Sequence, residues 1–539
     1  MNKAKKKPSY EDICSAFKWP EREHYNFATD AVDHWAEVYP NKRAMLWIDD
    51  DGAREERTFQ DISIASKKFA NVLRQNGIKR GDVVLIILSR QIAWWEIKTA
   101  CLRAGVVISP GTTQLSPKDI AYRIHVAKAV AIVTDIANAH KVDEITDQCT
   151  TLKTKFVVDG PREGWVDYQS ATDEADANFE AVNTHVNDEA LCYFTSGTTG
   201  FPKMTVHTHG YPMGHETTAR FWLDLKDDDL HWNISDTGWA KAAWSSYFGP
   251  WLLGVAVFVH HSSQFNAERT LTILDSYPIT TMCGAPTIYR LFAQLDLSQY
   301  KFEKLRHCVA AGEPLNPEVI EVWKKATGLT VRDGYGQTET VILCANFGSV
   351  PVRFGSMGKP APGINLDVID DNGNPLPPHE EGDIAVYVKP TPPLGLFKEY
   401  KNDAKRTTAS FRGDWYLTGD RAYKDEDGYF WFVSRSDDVI LSAGYRIGPF
   451  EVESALLQHA AVAESAVVAK AHDVRGDIVK AFVVIAEGYD ATEDLKTELQ
   501  NFVKSTTAPY KYPREIEFIS ELPKTISGKI RRIDLRARG

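Results

Sequence analysis

Two hydrophobic periods alternate along the first half of the chain. Phe59, Ile62, Phe69, Val72 and Leu73 recur at helical spacing through residues 59–76, and Gly77 is a natural stop. Residues 83–88 (VVLIIL) form a continuous apolar run, the pattern of a strand covered on both faces. A second helical segment over 94–104 ends at Gly105, and residues 106–110 read as a short strand. Ser116-Pro117 supplies a cap and a first-turn proline for a further helix, and 129–134 is the next strand. This alternation with short links predicts an α/β architecture with a mainly parallel sheet. Residues 354–430 break the pattern. They are rich in Gly, Pro and Asp, and short apolar runs at 366–369 and 384–388 flank the turn signal DDNGNPLPPHEEGD, which predicts a small antiparallel β unit. The last hundred residues read as a separate unit, with helices over 451–459 and 491–505 and strands over 463–468 and 481–485. The longest apolar candidate, 251–259, has the length of a core strand and falls far short of the ~20 residues of a membrane span.

At ~100–200 residues per domain, 539 residues correspond to two to four domains. Apolar residues make up 43% and charged residues 25%, a mix that excludes disorder over most of the chain. The net charge of −11 argues against a nucleic-acid coat but leaves room for a local basic pocket around an anionic substrate. Cys14, Cys101, Cys149, Cys192, Cys283, Cys308 and Cys344 are scattered and form no CxxC, so neither a disulfide framework nor a zinc site is expected. The basic start MNKAKKKPS is followed by a polar stretch, not an apolar one, and is not of the Arg- and Ser-rich amphipathic type. A cytoplasmic protein with reduced thiols is the expectation. His207, His209, His215 and the pair His260-His261 lack a carboxylate at ligand spacing, so hydrogen-bonded or surface histidines are expected, not a metal site.

The densest chemical signal is Thr195-Ser196-Gly197-Thr198-Thr199-Gly200-Phe201-Pro202-Lys203, entered from the apolar run 190–194. Glycines let a backbone approach an oxyanion closely, exposed N–H groups cradle it, and hydroxyls and a lysine add donors. Met204 after Lys203 and the glycine spacing exclude a Walker A loop. Downstream follow Asp333-Gly334-Tyr335-Gly336-Gln337-Thr338-Glu339-Thr340, Tyr416-Leu417-Thr418-Gly419-Asp420, Ser434-Arg435-Ser436-Asp437-Asp438, Ala443-Gly444-Tyr445-Arg446, and Pro523-Lys524-Thr525-Ile526-Ser527-Gly528-Lys529.

In this order and spacing the set resembles the adenylate-forming superfamily of acyl-CoA synthetases, firefly luciferase and peptide-synthetase adenylation domains, from roughly residue 30 to the end. Residues 232–239 (WNISDTGW) and 444–449 (GYRIGP) look most like the medium-chain acyl-CoA synthetases. The resemblance implies a large N-terminal domain of two α/β-sheet subdomains plus a small β-barrel at 1–434, a hinge at 435–440 with Asp437 at its centre, and a small mobile α+β lid domain at 441–539. It also implies the reaction: a carboxylic acid and ATP give acyl-AMP and pyrophosphate, and CoA then displaces AMP.

By the same resemblance, the loop from Thr195 to Lys203 holds the β- and γ-phosphates, Thr338 contacts the α-phosphate, and Glu339 holds Mg²⁺. Gly312-Glu313-Pro314 and Asp333-Gly334-Tyr335 frame the adenine. Asp420, assisted by Arg435, accepts from the ribose hydroxyls. Lys529 bridges the substrate carboxylate and the α-phosphate, then leaves when the lid rotates. Gly444, Tyr445, Arg446, Arg475, Lys504 and Tyr512 match CoA-contacting positions. Acetate-type relatives carry a tryptophan at the position of Gly336, so Gly336 is expected to leave the acyl pocket floor open. Ala311 and Ala240 are small, Trp239 forms an aromatic wall, and Val341 narrows one side. A short branched, medium-chain or aromatic acid is expected, with Gly336→Trp shifting preference toward acetate. Three other readings remain open here: an enzyme that loads a carrier protein, a catalytically silent adenylate-binding protein, and a luciferase-like oxygenase.

Overall fold

The computed structural model describes residues 8–195, 202–436, 438–442, 445–472, 475–524 and 529–538. Two large sheets carry the first part of the chain. The eight-stranded sheet has at its centre the parallel strands Val107–Gly111, Val83–Ile87, Ala131–Asp135 and Thr154–Val158, with the antiparallel pair Glu189–Thr195 and Lys203–Thr208 beside Val107–Gly111. The nine-stranded sheet runs parallel through Val331–Gly336, His307–Ala311, Thr281–Gly284, Leu230–Asn233, Ala256–His261 and Arg43–Asp49. Both central strand sets are almost wholly buried, as continuous apolar runs require.

The helices follow their signals. Thr58 and Asp61 form a capping box at the start of Phe59–Gln75, and Ser116 with Asp119 forms another at Pro117–Ala127. Residues 251–259 are not one strand. Helix Gly249–Leu252 ends at Gly254, whose φ of +68° turns the chain into strand Ala256–His261.

A third, antiparallel sheet contains Leu366–Ile369, Gly382–Tyr387, Phe411–Arg412, Trp415–Lys424 and Phe430–Arg435. The fourth sheet lies in the last hundred residues and is built on the long hairpin Val462–His472 with Gly476–Ile485, packed against helices Pro449–Leu457 and Glu493–Thr506. Among the described residues, no helix is long and apolar enough to cross a membrane.

Candidate active site

The turn after strand Val331–Gly336 is where the parts meet. The Thr340 side chain closes it by accepting the Gln337 N–H (2.9 Å). Gln337 reaches across to the third sheet, donating to the Thr418 carbonyl (2.7 Å) and to Asp420 Oδ2 (2.8 Å). Tyr335 donates its hydroxyl to the same Asp420 oxygen (2.5 Å). Burial pushes the Asp420 pKa up, while Arg435, its direct partner across the strand pair, and the Tyr335 bond oppose this. Asp333, whose carboxylate accepts the Gly334 N–H (2.9 Å), is pushed by burial to about 8. The Gly312–Pro314 loop lies alongside. There Glu313 accepts from the Thr287 N–H (2.8 Å) and from Arg290 (2.9 Å), and these partners hold its carboxyl low against the opposing effect of burial.

Glu339 and Lys203 are joined through a residue that no sequence motif flagged. Tyr400 pairs with Thr205 on strand Lys203–Thr208 and donates its hydroxyl to Glu339 Oε1 (2.8 Å). The Lys203 ammonium lies 4.8 Å from the centre of the Tyr400 ring. Thr195 and Lys203 face each other across their antiparallel pair, which fixes both ends of the intervening loop. His207 Nε2 donates to the Thr338 carbonyl (2.7 Å), since a carbonyl can only accept. Burial lowers the His207 pKa to about 4, so the ring is neutral. His207, His209 and His215 are all buried, and no group of three His, Cys, Asp or Glu suited to a metal exists among the described residues.

Lys529 arrives from the C-terminal unit. Desolvation lowers its pKa; Glu313, Asp420 and Glu339 act in the opposite direction, and Arg435 adds to the lowering. The side chain is nevertheless exposed to water. The segment after it is anchored locally: Arg531 N–H donates to the Pro523 carbonyl (2.8 Å), Arg532 forks onto Glu453 (2.7 and 2.8 Å), and Arg536 pairs with Asp438. Asn316 donates to Ser454 (3.2 Å), tying the two units together beside the site.

The segment Asp236–Ala243 borders the same cleft. Gly238 is pressed so tightly on the other large sheet that a Cβ would lie 2.2 Å from Thr112 N, and Thr237 donates to the Leu88 carbonyl (2.5 Å). This clamp positions Trp239, Ala240 and Lys241. Lys241 bridges two strand ends by donating to the Gly284 (2.5 Å) and Ala311 (2.8 Å) carbonyls. Gly336 does not face open space. A Cβ there would lie 2.5 Å from the Val341 carbonyl and 2.7 Å from Trp244 Cη2, so an indole from a different element fills the volume that the sequence reading left empty. Val341 turns its side chain onto Gly395.

On the C-terminal unit, Lys504 sits 4.1 Å over the Tyr512 ring, and Tyr445 stacks on Tyr510 at 4.2 Å. Arg475 opens strand Gly476–Ile485, its N–H donating to the His472 carbonyl (3.2 Å). Ser196, Gly197, Thr198, Thr199, Gly200, Asp437, Gly444 and the Arg446 side chain lie outside the described residues.

Comparison with known proteins shows the family. A family model described as AMP-binding enzyme matches residues 32–400, and one for the AMP-binding enzyme C-terminal domain matches 451–529. Acyl-coenzyme A synthetase ACSM3, mitochondrial, of Rattus norvegicus is 50% identical, covering 98% of this chain and 93% of its own. Acyl-coenzyme A synthetase ACSM4, mitochondrial, of Homo sapiens is 48% identical over 96% of this chain and 91% of its own. Among solved structures, the anthranilate CoA ligase AuaEII in complex with anthranoyl-AMP matches with a TM-score of 0.89 at 29% identity, covering 96% of this chain and 98% of its own. The mitochondrial names of these relatives overturn the expectation of a cytoplasmic protein. Reduced, scattered cysteines report the redox state of a compartment, not its address. By family match and by site, the chain belongs to the AMP-binding enzymes of the adenylate-forming superfamily, as a medium-chain acyl-CoA synthetase: an AMP-forming carboxylate–CoA ligase that uses ATP, Mg²⁺ and CoA.

Proposed function

We propose that the chain activates a short branched, medium-chain or aromatic carboxylic acid, with Lys529 as the residue that brings acid and ATP together. The observation that carries this reading is the placement of Lys529 within the electrostatic reach of Glu313, Asp420, Arg435 and Glu339. In the first step a carboxylate oxygen attacks the α-phosphorus and pyrophosphate leaves. Two anions must meet, so fixed charge and alignment supply most of the catalysis. Lys529 bridges the acid and the α-phosphate as a point charge on a long stem. Lys203, with the loop from Thr195, holds the β- and γ-phosphates. Thr338, its peptide fixed by His207, faces the α-phosphate. Glu339 suits Mg²⁺: it is a buried carboxylate, steadied by Tyr400, and a hard cation takes oxygen ligands. Asp420 and Arg435 take the ribose, and the loops at Gly312 and Asp333 take the adenine.

In the second step the CoA sulfur attacks the acyl carbon and AMP leaves. The unit 441–539 turns about a hinge at 435–440, withdraws Lys529 and presents Gly444, Tyr445, Arg446, Arg475, Lys504 and Tyr512 to CoA. The test is AMP formation from ATP and Mg²⁺ across acetate, butyrate, isobutyrate, 2-methylbutyrate, hexanoate, octanoate and benzoate, with and without CoA. CoA-dependent AMP with a favoured acid other than acetate is the expected result. Turnover with acetate alone, or none without a carrier protein, would refute the reading.

A further inference from the structure

Asn316 stands at the N-terminal cap position of helix Pro317–Thr327, yet its side chain makes no capping hydrogen bond to that helix. Asparagine at this position ordinarily accepts from N–H groups of the first turn. Here the side chain is buried and turned to other partners. Its Oδ1 accepts from Arg290 Nη1 (3.4 Å) and its Nδ2 donates to Ser454 Oγ (3.2 Å). A guanidinium only donates, so the amide is fixed with its oxygen toward Arg290 and its nitrogen toward the C-terminal unit. Arg290 Nη2 in turn donates to Glu313 Oε1 (2.9 Å), in the loop proposed to frame the adenine. On the other side, Ser454 lies on helix Pro449–Leu457, directly after Glu453. Glu453 is buried, accepts the Val467 N–H (2.8 Å) and holds the fork of Arg532. Arg532 follows Lys529 by three residues, and Ile530 between them bridges to Lys524, whose ammonium reaches Glu464 (2.9 Å). Helix Pro449–Leu457 thus fixes the stem from which Lys529 projects, and Asn316 ties that helix to the nucleotide side of the cleft.

We infer that Asn316 and Ser454 form the docking point of the first half-reaction: their hydrogen bond seats helix Pro449–Leu457, and through Glu453 and Arg532 it sets where the Lys529 ammonium stands. The inference rests on the functional reading above. Asn316, Ser454, Glu453 and Arg532 are positioning residues that act through Lys529. When the C-terminal unit turns for the second step, the Asn316–Ser454 bond must break. Both partners are small and neutral, and water replaces either of them at little net cost. Such a bond favours one pose without locking it, which suits a contact made and broken in every turnover.

The test is a double-mutant cycle read in each half-reaction, with the acid of the panel above that the wild type activates fastest and with its synthetic adenylate. Pyrophosphate release from ATP reports the first step, and thioester formation from supplied adenylate and CoA reports the second. Asn316→Ala is expected to slow pyrophosphate release roughly 3- to 10-fold, the worth of one neutral hydrogen bond, and to leave thioester formation at or above the wild-type rate. Ser454→Ala is expected to do the same, and the double variant to be no slower than the slower single one, because a single bond joins the two side chains. A wild-type rate of pyrophosphate release in either variant, equal loss in both half-reactions, or losses that multiply in the double variant would overturn the docking role. No pyrophosphate release by the wild type with any acid of the panel would refute the functional reading and the docking role with it. Should Asn316→Ala not fold, Ser454→Ala decides alone by its split between the two half-reactions.

Discussion

A single Cβ at position 336 would lie 2.5 Å from the backbone carbonyl of Val341, a group that cannot rotate away. Gly336→Ala is therefore expected to lower kcat/KM at least tenfold with every acid, and Gly336→Trp to fail, not to retune the pocket toward acetate. A panel of acids with the alanine variant checks this; a selective gain on acetate would contradict it. The motifs around this position stand out in the sequence as short ordered runs, with Asp420 after Thr-Gly, Arg435 between two serines and Lys529 after Ser-Gly, while the pairing of Asp420 with Arg435 appears only in the fold. Trp244 was not legible. Its role comes from packing against a residue 92 positions downstream, and no local pattern records which indole fills which void. His207 was visible only as one of several histidines, since its hydrogen bond to the Thr338 carbonyl exists only after two sheets have come together.

Short elements carry more of the site than the long ones. Strand Glu399–Tyr400 is two residues long, yet it adds to the edge of the eight-stranded sheet and sets the Tyr400 hydroxyl on Glu339. Phe397 N–H, just before it, donates to the Glu339 carbonyl (2.7 Å), so this edge holds both the backbone and the side chain of the residue proposed to hold Mg²⁺. Tyr400→Phe keeps the ring beneath Lys203 and removes only the hydroxyl. A lost hydrogen bond to a charged group is worth about 1.5–3 kcal/mol, so the KM for Mg–ATP is expected to rise by roughly 10-fold or more, with the KM for CoA unchanged. Equal changes in both constants would show that Tyr400 supports the fold and not the cation site. Periodicity found the long elements, such as Phe59–Gln75 and Val83–Ile87. It merged the helix and strand between 249 and 261, because it does not register the left-handed turn at Gly254.

Over the whole molecule, buried neutral histidines link stability to pH. Burial lowers His207, His209 and His307 to about 4 and His231 to about 3. The unfolded chain protonates these rings below about 6.5 while the folded chain does not, so stability is full above that pH and falls as pH drops toward 4. Asp333, raised to about 8, and Glu96, Asp159, Asp236, Glu318 and Asp420, also raised, act in the opposite sense and offset part of this loss, to which His215 and His260, also lowered, add. Each unmatched proton is worth about 1.4 kcal/mol per pH unit, so Tm is expected to fall between about pH 6.5 and 4.5. A Tm that rises over this window would contradict the assignment. The α/β architecture was legible from the alternating periods. The compartment was not, because the chain's redox chemistry and charge do not encode it. The meeting of Lys529 with Glu313, Asp420 and Glu339 is the central claim at this scale, since it joins residues from opposite ends of the chain in one catalytic step. Lys529→Ala tests it most directly when the two half-reactions are measured separately. The account predicts that acyl-AMP formation from ATP and acid falls at least a hundredfold, while thioester formation from supplied acyl-AMP and CoA stays within a few-fold of wild type. Equal loss in both half-reactions would contradict it.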